Sequence, residues 1–203
     1  IATNPNLYNA EFWVDGDLRR ENLHYRQETG DYRLVFNTKY NDYGVFGDWN
    51  PIIRYAEVLL NVAEAYARQG NTAQALRLLN AVRDRSVPAE ASFGDTAPAD
   101  LIQAILNERR IEFTAEGKRW LDIHRLALDP DYGTGGIPAK VLSTQLTGTG
   151  GGLALYDLTP RPYVEPALPA IPYSDFRFVW PIPTSELDSN PTLRGQQNPG
   201  WGD

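Results

Sequence analysis

Acidic and basic residues recur three or four positions apart between residues 108 and 125 of this chain. On a helix, that spacing places side chains along one side, close enough for ion pairs and hydrogen bonds. Two carboxylates about 5 to 10 Å apart can hydrolyse a glycosidic bond, so the row contains groups capable of that chemistry. The residues of this acid–arginine row are Glu108, Glu112, Glu116, Arg119, Asp122 and Arg125.

The arginines of the row argue for a structural role, because one lies about a helical turn from each carboxylate. A neighbouring guanidinium keeps a carboxylate ionised, and an ionised carboxylate cannot act as a general acid. We therefore interpret the row as an ion-pair network that fixes one geometry. Arg54 and Glu57 lie on an upstream helical pattern, and we expect at least one of them to pair with a member of the row.

Other catalytic and metal-binding groups are scarce. The chain has no cysteine and two histidines, His24 and His124, which excludes cysteine-based or histidine-rich metal sites. A Ser-His-Asp triad built on His124 is a formal alternative, but the flanking Ile123 and Arg125 favour a packing role. We predict no catalytic residue, no metal and no cofactor.

Aromatic residues in the first fifty positions are interleaved with aspartate and asparagine. Sugars present C–H faces to aromatic rings and hydroxyl groups to amides and carboxylates, so this composition could form a glycan-binding surface. The same rings could instead pin an irregular segment to the rest of the fold, and the residue pattern leaves both readings open. The candidate glycan-binding residues are Trp13, Tyr40, Tyr43, Phe46 and Trp49.

The elements that must position these groups are mainly helices. Apolar periodicity predicts helices at about 51–69, 72–85, 98–116 and 118–128, with Pro51 suited to a first helical turn. Gly70 ends the first helix, and Asn71 with Gln74 forms a capping-box pattern that opens the second. This helical hairpin has the small-residue placement of a tetratricopeptide unit.

The flanking segments lack such periodicity. Residues 1–50 are predicted to form an irregular aromatic-rich segment, and residues 51–128 a helical core. Residues 129–203 are rich in glycine and proline, which favours ordered coil that wraps the helices. We expect all three segments to form one structural domain.

Composition excludes two broad classes of function. A formal net charge of −7 and a pI near 4.9 argue against nucleic-acid binding, which depends on lysine and arginine at phosphates. The longest apolar stretch is interrupted by Glu57, Asn61, Glu64 and Arg68, so no segment reaches the roughly 18–20 apolar residues of a membrane-spanning helix.

Three sequence blocks occur together and carry a family resemblance. They are R-Y-A-E-V-L-L at 54–60, E-R-R-I-E-F with G-K-R-W-L-D-I-H-R at 108–125, and W-P-I-P at 180–183 followed by Q-N-P-G-W at 197–201. In this combination and order they resemble the SusD/RagB family of surface glycan-binding lipoproteins. The blocks belong to the C-terminal half of such proteins, so the resemblance implies that the chain is part of a longer protein.

The resemblance implies a mainly α fold with tetratricopeptide-like hairpins, long ordered coil and few short strands. It also implies non-catalytic binding of oligosaccharide or polysaccharide at the surface of a bacterial outer membrane, for uptake through a TonB-dependent, SusC-like transporter. Membrane attachment would come from a lipid anchor outside this chain. The alternatives are a tetratricopeptide-like scaffold for protein–protein interaction and, less favoured, a glycoside hydrolase.

Overall fold

The computed structural model describes residues 2–30, 33–42, 44–147, 151–193 and 195–202. These residues form mainly helices, with short strands and long coil, which confirms the predicted fold class. The helices are α1 (Pro5–Tyr8), α2 (Leu18–Asn22), α3 (Tyr55–Arg68), α4 (Thr72–Arg83), α5 (Leu101–Glu112), α6 (Lys118–Arg125), α7 (Ser143–Thr147) and α8 (Thr184–Ser189). Antiparallel pairs join β1 (His24–Arg26) to β2 (Val35–Asn37) and β3 (Gly136–Ile137) to β4 (Ile171–Pro172).

Helices α3 and α4 form the predicted hairpin. Gly70 has φ of +78°, the left-handed conformation that commonly follows a helix C-terminus. The Asn71 side chain then accepts a hydrogen bond from the Gln74 amide at 3.4 Å and caps α4. The local residues of this turn therefore determine where one helix ends and the next begins.

The first predicted helix, at about 51–69, corresponds to α3 and begins four residues later than predicted. Arg54 is extended, with φ of −138° and ψ of 159°, and α3 starts at Tyr55. The Ile52 carbonyl accepts a hydrogen bond from Lys118 Nζ, a tertiary contact that replaces an intrahelical one. Pro51 is thus compatible with a helix start, but tertiary contacts hold the next residues outside the helix.

The third predicted helix is shorter than expected at both ends, and α5 spans Leu101–Glu112 rather than 98–116. Asp100 caps its N-terminus by accepting a hydrogen bond from the Gln103 amide at 2.8 Å. Past its C-terminus, Ala115 and Gly117 have φ of 67° and 76°, which no right-handed helix accommodates. The acid–arginine row is therefore divided between α5, a turn and α6.

The core around these helices is apolar and well enclosed. Leu60, Leu79, Val82 and Ile105 are fully buried between α3, α4 and α5. Burial of each such side chain contributes roughly 1.5–3 kcal/mol. This packing fixes the positions of α4 and α5, which carry several of the charged residues described below.

The described residues divide into two compact units. The first lies within 1–119 and 141–165, and besides the helical core it has a cluster around Tyr8, Val35 and Tyr156. The second lies within 120–140 and 166–203, with a small core that includes Ile123 and Phe178. The division into segments 1–50, 51–128 and 129–203, and their assembly as one domain, stays a prediction.

Candidate functional site

The buried carboxylates of α5 are paired with cations from other parts of the first unit. Glu108 contacts Arg19 Nη1 at 2.5 Å and Arg83 Nη1 at 3.1 Å. Arg19 is itself held by Asp17, whose carboxylate caps α2 and contacts the guanidinium at 2.7 Å. Glu108 therefore joins α2 and α4 to α5.

Glu112, one turn further along α5, lies among three arginines. Its carboxylate accepts hydrogen bonds from Arg54 Nη1 at 2.6 Å, Arg19 Nη1 at 2.8 Å and Arg85 Nη2 at 2.9 Å. Burial alone would raise the pKa of Glu112, but hydrogen bonds and charges from Arg54 and Arg19 outweigh it and lower the pKa from 4.5 to about 2.

Glu116 follows α5 in the turn and completes the network. It contacts Lys39 Nζ at 2.6 Å and Arg54 Nε at 2.8 Å. The Arg54 guanidinium also lies 4.8 Å above the Phe113 ring. Arg54 thus pairs with two members of the row, as the sequence predicts.

Three other residues of the predicted network, Glu57, Asp122 and Arg125, lie in other pairs. Glu57 contacts Lys118 at 2.8 Å. Asp122 contacts Arg125 at 2.8 Å within the second unit.

Burial, together with the charge of the half-buried Arg119, lowers the pKa of Arg110 from 12.5 to about 10.

The pairing scheme corrects one part of the sequence interpretation. The spacing of the row predicts that its arginines pair with its own carboxylates one helical turn away, and Arg125 pairs with Asp122 in this way. The partners of Glu108, Glu112 and Glu116 come from elsewhere in the first unit. Sequence reasoning missed these cations, which are Arg19, Lys39, Arg83 and Arg85.

An open cavity of about 400 Å³ lies against this network. Guanidinium and ammonium groups, two carboxylates and two aromatic rings share its wall. Its lining includes Arg19, Lys39, Tyr40, Trp49, Arg54, Arg85, Glu112 and Glu116.

Tyr40 and Trp49 are the two predicted aromatic residues that line this cavity. The Trp49 side chain is 95% exposed. Tyr40 is half-buried, and its hydroxyl donates a hydrogen bond to Asn50 Oδ1 at 2.7 Å. Burial, with the nearby charge of Glu116, raises the pKa of Tyr40.

Polar turns position the chain before Trp49. The Asp42 carboxylate accepts hydrogen bonds from the amides of Val45 and Gly47, and Asp48 accepts one from the Asp42 amide. Phe46, at the tip, is 85% exposed and has φ of 53°. It is not among the residues that line the cavity.

Trp13 is also absent from the lining of this cavity. The Trp13 ring is 1% exposed and packs against Tyr8 and His24, with the Arg20 guanidinium 5.0 Å from its centroid. Trp13 is therefore a core residue and cannot present a ring face to a ligand. Tyr43 lies outside the described residues.

The histidine and metal alternatives gain no support from the described part of the chain. Both ring nitrogens of His124 lie within 3.1 Å of backbone carbonyls, those of Trp120 and Phe178, which leaves neither nitrogen for a serine hydroxyl. No group of three or more histidine, aspartate or glutamate side chains in the described ranges could hold a metal ion. None of the helices formed by these residues has the length and apolar character needed to cross a bilayer.

The comparisons with known proteins agree with the sequence blocks. The profile of the SusD family matches residues 25–201. The chain belongs to the SusD family. It is 34% identical to the SusD-like protein P38 of Formosa agariphila over 105 residues, which cover 47% of this chain and 20% of that protein. SusD-like protein P2 of the same organism is 34% identical over 96 residues, covering 42% and 18%.

A solved structure shows the same fold. A SusD superfamily protein from Bacteroides fragilis superposes with a TM-score of 0.57 and 24% identity, covering 98% of this chain and 40% of that one. This likeness supports the tetratricopeptide-like helical fold. The aligned regions cover about a fifth of the length of these two curated relatives.

Proposed function

We propose that this chain forms part of a non-catalytic glycan-binding protein that acts at the bacterial cell surface. Family membership and the aromatic cavity next to the ion-pair network support this function. The observation that carries it is the exposed side chain of Trp49, which lines the same cavity as Tyr40 and several hydrogen-bonding groups. A sugar ring would stack on Trp49 while its hydroxyl groups bond to the polar wall.

The state of the carboxylates supports binding over hydrolysis. Glu108, Glu112 and Glu116 each contact at least two cationic side chains. Hydrolysis needs one carboxylic acid that stays protonated near neutral pH. The low pKa of Glu112 is opposite to that requirement. The network instead gives the cavity a rigid wall.

The proposal extends to the partners and location that the family implies. The whole protein would bind oligosaccharide or polysaccharide at the outer membrane and pass it to a TonB-dependent, SusC-like transporter for uptake. A lipid anchor outside this chain would attach the protein to the membrane. The chain would supply the helical scaffold and one glycan-contacting surface.

Isothermal titration calorimetry of this chain against neutral and charged oligosaccharides tests the proposal. We expect saturable binding without the slow heat of turnover. Trp49→Ala should weaken binding about tenfold, since loss of a stacked ring costs about 0.5–1.5 kcal/mol beyond its buried area. Tyr163→Ala, which removes an exposed ring away from the cavity lining, is the matched control and should bind normally. If no oligosaccharide of the panel binds, or if one of them is hydrolysed, the proposal is overturned.

A scaffold for protein–protein interaction is the second candidate, and one observation favours it. Tyr55, Val58 and Val62 are exposed along one side of α3, at the spacing of a helix face. If that face binds a protein partner, Val58→Ser with Val62→Ser should abolish binding to that partner, and the carbohydrate titrations should be silent.

A further inference from the structure

We propose that the cavity takes oligosaccharides that carry an oxyanion, either a uronate carboxylate or a sulfate ester, and that Arg85 binds that group. This inference rests on the proposed function, because it names the class of glycan for the same cavity.

The charges of the cavity wall are the first support. Four cationic side chains and two carboxylates line it. The further charges that reach this wall, Arg83 against Asp17, Glu108 and Asp48, balance the sum, so the excess of two positive charges belongs to the lining itself. The whole chain has a formal net charge of −7, so this is a local reversal of sign. A positive cavity on a negative protein favours an anionic group at that place.

Three of the four cations are committed to protein groups. The Arg54 guanidinium donates to both carboxylates and to the Glu112 carbonyl. Lys39 Nζ donates to Glu116 and to the carbonyls of Glu112 and Thr114. Arg19 is largely buried and bonds to three carboxylates. These three residues neutralise the carboxylates of the wall, so they leave little charge for an anionic group of a ligand.

Arg85 differs from them in exposure and in unused donors. Its side chain is 55% exposed, just beyond the C-terminus of α4. Nε donates to the Val82 carbonyl at 3.0 Å and Nη2 to Glu112 at 2.9 Å, whereas Nη1 has no hydrogen-bond partner among the described residues. Glu112 also bonds to Arg19 and Arg54, so it does not neutralise Arg85 by itself.

The two bonds to the protein hold the guanidinium in place before a ligand arrives. Nη1 carries two N–H groups, which can donate charge-assisted hydrogen bonds to a carboxylate or sulfate oxygen. A ring stacked on Trp49 or set against Tyr40 would lie in the same cavity as Arg85. Recognition would therefore combine an aromatic surface, which accepts any sugar ring, with one cation that selects a charged substituent.

The expected preference follows from the strength of one such bond. A hydrogen bond to a charged group in a half-exposed position should favour the charged sugar about tenfold. The preference should shrink as ionic strength rises, because exposed charges are screened over about 10 Å at 0.1 M salt.

The test uses pairs of oligosaccharides in which one member carries a charged group and the other carries a neutral group at the same position. Oligogalacturonides are compared with their methyl esters, and sulfated carrageenan oligosaccharides with their desulfated forms, by calorimetry with the chain at 50 mM and 500 mM salt. Arg85→Gln removes the proposed contact and Arg85→Lys keeps its charge. Arg77→Gln is the matched control, because Arg77 is an exposed arginine of α4 that bonds to Gln74 and does not line the cavity.

We expect at least one charged sugar to bind about tenfold more tightly than its neutral form. Arg85→Gln should abolish that difference, Arg85→Lys should retain part of it, and Arg77→Gln should leave it unchanged. The pair that shows the difference identifies carboxylate or sulfate as the group bound. Equal binding of charged and neutral forms, or a preference that survives in Arg85→Gln, would overturn this inference and leave the proposed function standing. No binding by any sugar would overturn both.

Discussion

Glu112 is the residue where arginines from three separate segments meet, and its charge state links the network to pH. Its folded-state pKa of about 2 lies below the ordinary 4.5. A depressed acid pKa stabilises the folded chain above the ordinary pKa, and that stability is lost as pH falls through the folded value. The shift corresponds to about 3 kcal/mol as an upper estimate.

The first prediction is that Glu112 causes part of the acid sensitivity of the fold. Between pH 5 and pH 2 the free energy of unfolding should fall, with Glu112 contributing up to about 3 kcal/mol. Glu112→Gln should be destabilised at pH 7, because three arginines lose their shared anion, and should show a flatter pH dependence. Urea unfolding followed by circular dichroism from pH 2 to 7 measures both effects.

Glu90→Gln provides the control for this measurement, since Glu90 is an exposed acid outside the network. It should follow the parent pH dependence. Parallel curves for Glu112→Gln and the parent chain would show that Glu112 is not the acid that titrates in this window.

At the scale of elements, the turn between α3 and α4 depends on the backbone of Gly70. Its φ is +78°, and a Cβ placed there would meet no atom within 4 Å. The free-energy cost of a substitution at this position therefore comes from the backbone conformation alone. We expect Gly70→Ala to cost about 1 kcal/mol in the free energy of unfolding, and Gly70→Asn less, because asparagine tolerates the left-handed region better. Equal urea midpoints for the two variants would contradict this view of the turn.

The elements also show what the sequence could and could not predict. Gly70, Asn71 and the apolar period of α3 and α4 act within a few residues, so the hairpin was predictable from local pattern. The end of α5 was not predictable in this way. The turn that follows it contains Ala115, a non-glycine residue in the left-handed conformation. No composition signal marks such a residue in advance.

The acidic residues of the network were predictable from the sequence, but their distant cationic partners were not. Glu108 and Glu112 were visible through their helical spacing, whereas Arg19 lies 89 residues before Glu108 in the chain. Contacts over that separation leave no period in a single sequence. The burial of Trp13 was hidden for the same reason, since its environment depends on how α1, α2 and β1 come together.

At the scale of the whole molecule, the side of α3 that faces away from the core exposes a row of apolar side chains. Tyr55, Val58 and Val62 lie on this side, and the preceding Ile52 and Ile53 are also exposed. The matched relatives are about five times as long as the aligned region. In proteins built from stacked helical hairpins, such a face packs against the next hairpin.

The last prediction separates the two sides of this helix. Val58→Ser with Val62→Ser should change the free energy of unfolding of this chain by less than about 1 kcal/mol, because both side chains face outward. Leu60→Ser, on the buried side, should cost at least about 3 kcal/mol, because it leaves a cavity and buries a hydroxyl. The outward double variant should also bind less of a hydrophobic dye such as ANS. A large stability loss in the outward variant would mean that this face already packs within the chain, and α3 would then offer no surface to a further hairpin.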